Sequence, residues 1–220
     1  MSRIKLLIVD DHPLIVEGYK QVINNDAKLD VDITAANDCK EAYDLMAKAK
    51  SVGVGYDMIC LDMNLPGYEK KGLYSGEDLG LIVRKWFSDT KLIVLTMYSD
   101  NFRLYNILKN LEPEGFLIKG DIDPTEFKLA IRKCINGEIY YSNTVNTLLR
   151  STVTSDFVLD KIDRAILYYL SKGIKTKDLP QNIPLSLAGI EKRKRIMKEV
   201  FDISGGDLIL IEYAKRHGFL

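Results

Sequence analysis

The stretch IKLLIVDDHPLIVEGYKQVIN (residues 4–24) begins as an apolar run, passes through two adjacent carboxylates and ends as an amphipathic segment. The apolar run predicts a buried strand. The amphipathic part predicts a helix that starts near Pro13, since proline is tolerated in the first helical turn. Asp10 and Asp11 lie between the two. Each carboxylate resists leaving water and raises the cost of ionising the other, so we expect a positive group beside them.

The same alternation of strand and helix recurs along residues 1–137 of the 220-residue chain. Apolar runs predict strands at residues 4–10, 31–36, 56–63, 91–97 and 115–119. Amphipathic segments predict helices at residues 12–24, 38–50, 76–87, 100–110 and 123–137. Near-continuous apolar strands are typical of a parallel sheet covered on both faces. We therefore predict an α/β domain with a doubly wound, five-stranded parallel sheet, whose site lies beyond the carboxyl ends of the strands.

The remaining sequence indicates a different organisation. Residues 138–156 are rich in Ser, Thr and Asn and predict a linker, with a short helix at 143–150. Residues 157–220 predict a small all-α domain, with helices at 160–171, 176–182, 186–201 and 206–218. Acidic residues exceed basic ones by four in residues 1–156, and the excess is reversed in residues 157–220. This asymmetry suggests two modules, of which the second could meet a polyanion.

Composition narrows the setting of the protein. The chain is 46% hydrophobic and 28% charged, which is ordinary for a globular protein. The three cysteines are odd in number and fit no zinc or redox spacing, so a reduced, cytoplasmic environment is expected. No segment approaches the roughly 20 apolar residues of a membrane span, so we expect no membrane partner.

Polar side chains stand at the carboxyl ends of the predicted strands. Asp10 and Asp11 follow the first strand, Asp62 the third, Thr96 the fourth and Lys119 the fifth. Because the carboxyl ends of parallel strands meet at one edge of the sheet, these groups should converge. A few hard oxygen ligands with room for water are what Mg²⁺ prefers. A cation there would offset the repulsion between the carboxylates and, with Lys119, would stabilise an incoming phosphoryl group.

These motifs, taken in order, resemble the receiver domain of bacterial response regulators. The matching pieces are DD (10–11), DMNLP (62–66), LTM (95–97) and FLIK (116–119). The resemblance implies a flavodoxin-like fold and a phosphoacceptor at Asp62, supplied by a histidine kinase. It also implies Mg²⁺ held by Asp10, Asp11, Asp62 and the backbone carbonyl of Asn64.

The resemblance assigns the remaining site residues as well. Thr96 would turn its hydroxyl onto the phosphoryl group, Lys119 would pair with a phosphoryl oxygen, and Phe116 occupies the aromatic switch position. There are two departures from the family. The loop PGYEKKGLYSG (66–76) is several residues longer than usual, and Gly120 stands where many receivers have Pro.

A rival interpretation is a phosphatase of the haloacid-dehalogenase type, which also uses a strand-end aspartate with Mg²⁺. That class places its nucleophile in a D-x-D pattern, with the second Asp as acid/base. Here the doublet is D-D and the later pattern is D-x-N, at residues 62–64. His12 could be mistaken for a catalytic base, but in DDHP it reads as a turn residue. We therefore do not expect a self-contained enzyme.

Residues 157–220 resemble the LuxR-type helix-turn-helix domain of the NarL/FixJ regulators. The matching order of predicted elements is a helix ending in SKGI, a short helix, a turn with Leu185 and Ser186, a basic helix and a last helix ending in HGFL. The basic helix would be the recognition helix. Its cationic residues are the candidates for DNA contacts: Lys192, Arg193, Lys194, Arg195 and Lys198. The start of this helix departs from the family pattern, since GIEKR (189–193) carries a glycine and an acidic residue.

The whole chain is thus expected to be a two-domain response regulator. The predicted domains are a receiver over 1–137, a linker over 138–156 and a helix-turn-helix domain over 157–220. Phosphorylation of Asp62 would promote formation of a homodimer and binding to promoter DNA. The alternative is a phosphorylation-switched regulator whose second domain binds a protein partner instead of DNA.

Overall fold

The computed structural model describes residues 3–150 and 157–220. Six strands lie in the described part of the chain: β1 (Ile4–Val9), β2 (Val31–Ala36), β3 (Met58–Asp62), β4 (Lys91–Thr96), β5 (Gly115–Ile118) and β6 (Tyr140–Tyr141). They form one parallel sheet in the order β2-β1-β3-β4-β5-β6. The predicted fold class is confirmed, and the sheet has one strand more than predicted.

Helices cover both faces of the sheet. The bounds are α1 (Pro13–Asn24), α2 (Cys39–Ser51), α3 (Gly76–Trp86), α4 (Asn101–Leu111) and α5 (Pro124–Ile135). Alternate strand residues face opposite sides, so Leu6 and Ile8 pack with α1 and α5, whereas Leu7 and Val9 pack with α2, α3 and α4. The strands are buried on both sides, which explains their continuous apolar runs.

The added strand lies in the segment that we predicted as a linker. Tyr140 donates its backbone N–H to Glu114 at 2.8 Å, and Ser142 donates to the Phe116 carbonyl at 2.9 Å, which extends the sheet beyond β5. Helix α6 (Asn143–Arg150) follows, as predicted, and buries Val145 against the helix α4 side of the sheet. Residues 151–156 of the predicted linker lie outside the described residues.

The second domain is helical. Its elements are α7 (Lys161–Ser171), a 3-10 helix (Thr176–Gln181), α8 (Leu187–Val200) and α9 (Asp207–Arg216). Asp160 caps α7 and forms a reciprocal pair with Asp163, while Ser186 caps α8 by accepting from the Gly189 N–H at 3.2 Å. Ile166, Met197 and other apolar residues of these elements form its core. No helix within residues 3–150 and 157–220 is long and apolar enough to cross a membrane.

The two domains pack closely against each other. Phe102 at the start of α4 lies among aromatic rings of the helical domain, with ring centroids 6.3 Å from Phe157, 5.6 Å from Phe201 and 5.8 Å from Phe219. Phe102 is therefore packed against the core cluster of the helical domain although it belongs to the α/β domain. This contact fixes the helical domain beside the loop that follows β4.

Candidate functional site

The carboxyl ends of β1, β3 and β5 bring three charged groups together. Asp10 follows β1 and is fully buried, and Asp62 ends β3. Lys119 follows β5, and its Nζ lies 2.6 Å from Asp10 Oδ2 and 3.2 Å from Asp62 Oδ2. Lys119 thus supplies the positive charge that the carboxylates require. The predicted convergence of these residues occurs because the strands are parallel, with β1 next to β3 and only β4 between β3 and β5, so their carboxyl ends meet at one edge of the sheet.

The electrostatics of Asp62 reflect its burial. Removal from water raises the pKa of the Asp62 carboxyl above its ordinary value, and the nearby Asp10 charge raises it further. Lys119 and the backbone N–H of Asn64 act in the opposite direction. The ionised carboxylate is therefore held in an unfavourable environment, which a further cation at the site would relieve.

Asp11 and His12 complete an acidic cluster at the end of β1. Ligand atoms of Asp10, Asp11, His12 and Asp62 all lie within 4.8 Å of one another. Oδ1 of Asp11 is buried and makes no hydrogen bond, although Nδ1 of His12 lies 2.8 Å away. A buried carboxylate oxygen that accepts no hydrogen bond and lies beside two other carboxylates suits a small, hard dication. The three carboxylates therefore fit Mg²⁺. The His12 ring lies at the side of the cluster and also hydrogen-bonds to Asp10 Oδ1 at 3.1 Å.

Thr96 and Phe116 occupy the neighbouring strands. Thr96 ends β4 and is buried, and its hydroxyl oxygen accepts a hydrogen bond from the Tyr98 N–H at 3.2 Å. Its carbonyl accepts from the Lys119 N–H at 2.7 Å, which joins the threonine to the lysine through the backbone. Phe116 on β5 is fully buried in the cluster that contains Leu104 of α4. In this conformation the ring points into the core.

The long loop 66–76 connects the site to the helical domain. A short 3-10 helix (Glu69–Lys71) closes it, and Glu69 accepts a hydrogen bond from the Tyr168 hydroxyl of α7 at 2.6 Å. The Tyr74 ring lies 4.8 Å from the Tyr168 ring. At the end of the loop, a Cβ on Gly76 would lie 1.9 Å from the Asp62 carbonyl oxygen, so only glycine fits there. The extra residues of this loop therefore contact the second domain.

The basic residues of α8 have different environments. Lys194 is buried, with Nζ 2.8 Å from Asp207 Oδ1 and 2.7 Å from the Thr176 hydroxyl. We predicted Lys194 as a DNA contact, and the structure instead places it in an ion pair between α8 and α9. The correction follows from helical spacing, because Lys194 shares the inward side of α8 with Ile190 and Met197.

The other four cations of α8 remain on the outside. Arg193 is half-buried, with Nη1 2.8 Å from Asp160 and 2.9 Å from Asp163. Lys198 donates to the Gly205 carbonyl at 2.8 Å. Lys192 and Arg195 are exposed, and Nε of Arg195 lies 3.6 Å from Glu199. Lys192 and Arg195 are therefore the α8 cations best placed to reach a ligand in solvent.

A buried cluster of charges across the domain interface was missed from the sequence. Arg164 of α7 donates from Nη1 to Glu77 Oε1 at 2.9 Å and from Nη2 to Asp78 Oδ1 at 2.8 Å. Arg103 of α4 also pairs with Glu77. Asn106 accepts the Leu159 N–H at 2.7 Å. The polar residues at 103, 106 and 110 share one side of α4, a spacing that could have indicated a buried polar face.

Comparison with known proteins identifies the first domain. The family described as the response regulator receiver domain matches residues 6–132. The chain belongs to the response regulators. Within this receiver, Asp10, Asp62 and Lys119 lie at the edge of the sheet where the phosphorylation site is predicted.

Relatives of similar length cover both domains. The oxygen regulatory protein NreC of Staphylococcus haemolyticus is 27% identical over 98% of this chain and 99% of its own length. NreC of Staphylococcus aureus strain JH9 is 28% identical, with the same coverage. RcsB from Salmonella enterica serovar Typhimurium, solved bound to the promoter rprA with the phosphomimetic BeF3-, has a TM-score of 0.70 at 20% identity over 96% of this chain and 98% of that one. The response regulator thus shares the fold of RcsB.

Proposed function

We propose that this response regulator is a transcription regulator, phosphorylated on Asp62 by a histidine kinase and acting through promoter DNA bound by its helical domain. The proposal rests above all on Lys119, whose ammonium group bridges the buried Asp10 and Asp62 at the strand ends. Full-length similarity to NreC adds support for the second domain. We expect the protein to work in the cytoplasm.

The proposed chemistry is transfer of a phosphoryl group to a carboxylate. An Asp62 oxygen attacks phosphorus of the kinase phosphohistidine, the P–N bond breaks, and the imidazole leaves with the bonding pair while an acyl phosphate forms. Lys119, which now pairs with two carboxylates, shifts to a phosphoryl oxygen. The Thr96 hydroxyl donates a hydrogen bond to another phosphoryl oxygen, and the Phe116 ring repacks as Thr96 moves.

The acidic cluster would hold Mg²⁺ during this transfer. Asp10, Asp11 and Asp62 would contribute carboxylate oxygens, and Asn64 its backbone carbonyl. When bound, the ion supplies positive charge that offsets the carboxylates and the transferred group. The support is the buried Oδ1 of Asp11, which accepts no hydrogen bond and lies beside the other two carboxylates.

The proposed DNA interface is the exposed side of α8. Lys192 and Arg195 would make the phosphate or base contacts, and Arg193 and Lys198 lie at the edges of the same surface. Lys194 is not part of the proposal, since Asp207 and the Thr176 hydroxyl hold it inside. Because few free cations remain, we expect a shallow dependence of DNA affinity on salt. Phosphorylation would promote a homodimer that places two copies of α8 on the promoter.

A protein partner for the helical domain is the second candidate. It is favoured because Arg193 and Lys194 each pair with an aspartate of their own domain. Apolar side chains also remain exposed, with exposed fractions of 75% for Leu208 and 44% for Leu187. Exposed apolar residues on a small domain can mark a protein interface. Under this alternative, α8 would have no DNA affinity that depends on salt.

Fluorescence anisotropy of labelled promoter DNA tests the proposal. The full chain is titrated across a salt series, with and without Mg²⁺ and beryllofluoride, beside Asp62→Ala and Lys192→Ala/Arg195→Ala variants. Lys215→Ala, which removes an exposed cation of α9, is the matched control. We expect beryllofluoride to tighten binding of the wild type but not of Asp62→Ala. Loss of binding should follow from the α8 variant alone.

Binding that is absent in both states, for protein shown to take up beryllofluoride, would contradict the DNA proposal and favour a protein partner. Equal tightening in Asp62→Ala would contradict phosphorylation at that residue. Light scattering on the same samples checks whether beryllofluoride converts monomers to dimers.

A further inference from the structure

The loop that carries the site lysine has little rigidity of its own. Lys119 is followed by Gly120, where a Cβ would meet no atom within 4 Å. The chain therefore places its most flexible residue type, with open space around it, next to the lysine. Even so, Nζ of Lys119 lies within hydrogen-bond distance of Asp10, and its side chain is 6% exposed. The Thr96 carbonyl holds the loop on one side by accepting the Lys119 N–H at 2.7 Å, and the other side needs contacts from elsewhere in the molecule.

Asp121, two residues after the lysine, makes the contacts that hold it. Its carboxylate accepts three hydrogen bonds: from the Ser142 hydroxyl at 2.8 Å, the Thr144 N–H at 2.9 Å and the Thr144 hydroxyl at 2.9 Å. Burial raises the pKa of Asp121, but these bonds outweigh it and lower the pKa overall. The carboxylate is therefore the form that fits the contact.

Ser142 links this contact back to the strand. Its hydroxyl oxygen accepts from the Ile118 N–H at 3.1 Å while it donates to Asp121, which uses one proton and one lone pair of the hydroxyl. The Asp121 N–H in turn donates to the Ile118 carbonyl at 2.9 Å. These hydrogen bonds tie Ile118 and Asp121 together, and Lys119 belongs to the short segment between them.

We propose that Asp121, Ser142 and Thr144 are positioning residues for phosphoryl transfer, which hold Lys119 against the phosphoacceptor in place of loop rigidity that Gly120 does not supply. The inference rests on the proposed phosphorylation of Asp62. Through Lys119, it links the start of α6, which lies outside the receiver as predicted from the sequence, to the chemistry of the receiver.

Rates of phosphorylation by acetyl phosphate test the inference. The full chain carries Asp121→Ala, Asp121→Asn or Thr144→Val, and the product is resolved on phosphate-affinity gels. Misplacement of a group by about 1 Å can cost up to two orders of magnitude in rate, so we expect Asp121→Ala to slow labelling by about tenfold. Asp121→Asn keeps an acceptor oxygen and should recover most of the rate.

Thr144→Val separates positioning from folding. It removes one of the three bonds with almost no change of shape, and we expect labelling to slow by about threefold. Thr147→Val is the matched control, since the Thr147 hydroxyl bonds to the Asn143 carbonyl on the same helix and makes no contact with Asp121. It should label at the wild-type rate.

The lysine itself provides the decisive comparison. If Asp121 acts through Lys119, Asp121→Ala should add no further loss to a Lys119→Ala chain, whereas a general disturbance of the site would slow both backgrounds equally. Equal slowing, or a wild-type rate in Asp121→Ala, would overturn the positioning role alone. If Asp62→Ala were labelled as fast as the wild type, the proposed function itself would fail, and the positioning role with it.

Discussion

Arg164 of α7 reaches across the domain interface and places Nε and Nη2 3.0 and 2.8 Å from the same oxygen of Asp78 at the start of α3. Both residues are buried, with 3% and 2% of their surface exposed. Buried ions keep their charge only when they are paired, so the charge on α7 and those on α3 depend on each other. The helical domain is therefore joined to the segment that directly follows the loop after Asp62.

Removal of Arg164 should destabilise the whole protein. In Arg164→Met, the buried Asp78 carboxylate loses its cationic partner and Glu77 keeps only Arg103, and breaking a buried pair on one side costs about 3–5 kcal/mol. Urea unfolding of the full chain measures the change. Lys177→Met, which removes an exposed cation of the same domain, is the control and should have little effect. A loss below about 1 kcal/mol for Arg164→Met would contradict the buried pairing.

Acid should weaken the same interface. Burial raises the pKa of Glu77, but Arg103 and Arg164 outweigh it and hold the pKa below its ordinary value of 4.5. Because the folded pKa is depressed, the stabilisation is complete above pH 4.5 and is lost as pH falls through the folded pKa. The difference in unfolding free energy between wild type and Glu77→Gln should thus shrink with acid, and a constant difference from pH 7 to pH 3 would count against this.

Asp62→Asn should be more stable than the wild type when Mg²⁺ is removed by chelation. Burial and Asp10 raise the Asp62 pKa, so the wild type loses stability as pH rises from 3.8 through the folded pKa. The amide removes this cost, and we expect a gain on the order of 1 kcal/mol at pH 7. Thermal unfolding with a chelator measures it. A gain that persists below pH 3.8, where Asp62 is protonated in both states, would point to another cause.

Mg²⁺ should stabilise the folded protein through the acidic cluster. A ligand whose concentration is 100 times its dissociation constant adds about 2.7 kcal/mol to the free energy of unfolding, provided that it binds only the folded state. We expect the melting temperature of the wild type to rise with Mg²⁺ and that of Asp11→Asn to rise far less, since Asp11 carries the buried oxygen that accepts no hydrogen bond. Asp44→Asn, on the exposed side of α2, provides the comparison. Equal shifts in all three would place the ion elsewhere.

Lys194 and Lys192 should behave differently although they lie two residues apart. Lys194→Met breaks the pair with Asp207 and should lower the stability of the helical domain. Lys192→Met should leave stability unchanged and reduce the salt slope of DNA binding by about one. Urea unfolding and the salt series, run on both variants, compare the two effects. If Lys194→Met instead reduced the salt slope and left stability unchanged, Lys194 would have to leave its pair with Asp207 to reach DNA.

Most of the receiver could be predicted from sequence because its signals are local. The strands are continuous apolar runs, and parallel strands bring their carboxyl ends to one edge, so the convergence of Asp10, Asp62 and Lys119 followed from the order of the elements. Helix ends were also predictable. Asp38 and Asp123 stand at the start of the predicted helices 38–50 and 123–137, and their side-chain oxygens cap those helices in the structure.

The features that were missed depend on contacts between distant parts of the chain. Strand β6 is two residues long and forms because the edge of β5 supplies its backbone partners, while Asp121 accepts from Ser142 directly after the strand. Arg164 has no local signal of burial, since its partners lie more than 80 residues earlier. Lys194 could have been placed correctly, because its spacing from Ile190 and Met197 puts it on the inward side of α8.

Phe102 has a consequence for how this protein can change during evolution. Its ring completes the aromatic cluster of Phe157, Phe201 and Phe219, so a fragment made of residues 157–220 alone would expose those rings to water. Neither domain can be exchanged for that of a related protein without loss of this contact unless the new domain supplies a matching aromatic ring. Recombination between such proteins would thus preserve the pair as an inherited unit, and dissection into fragments would change the stability of the output half as well as its control.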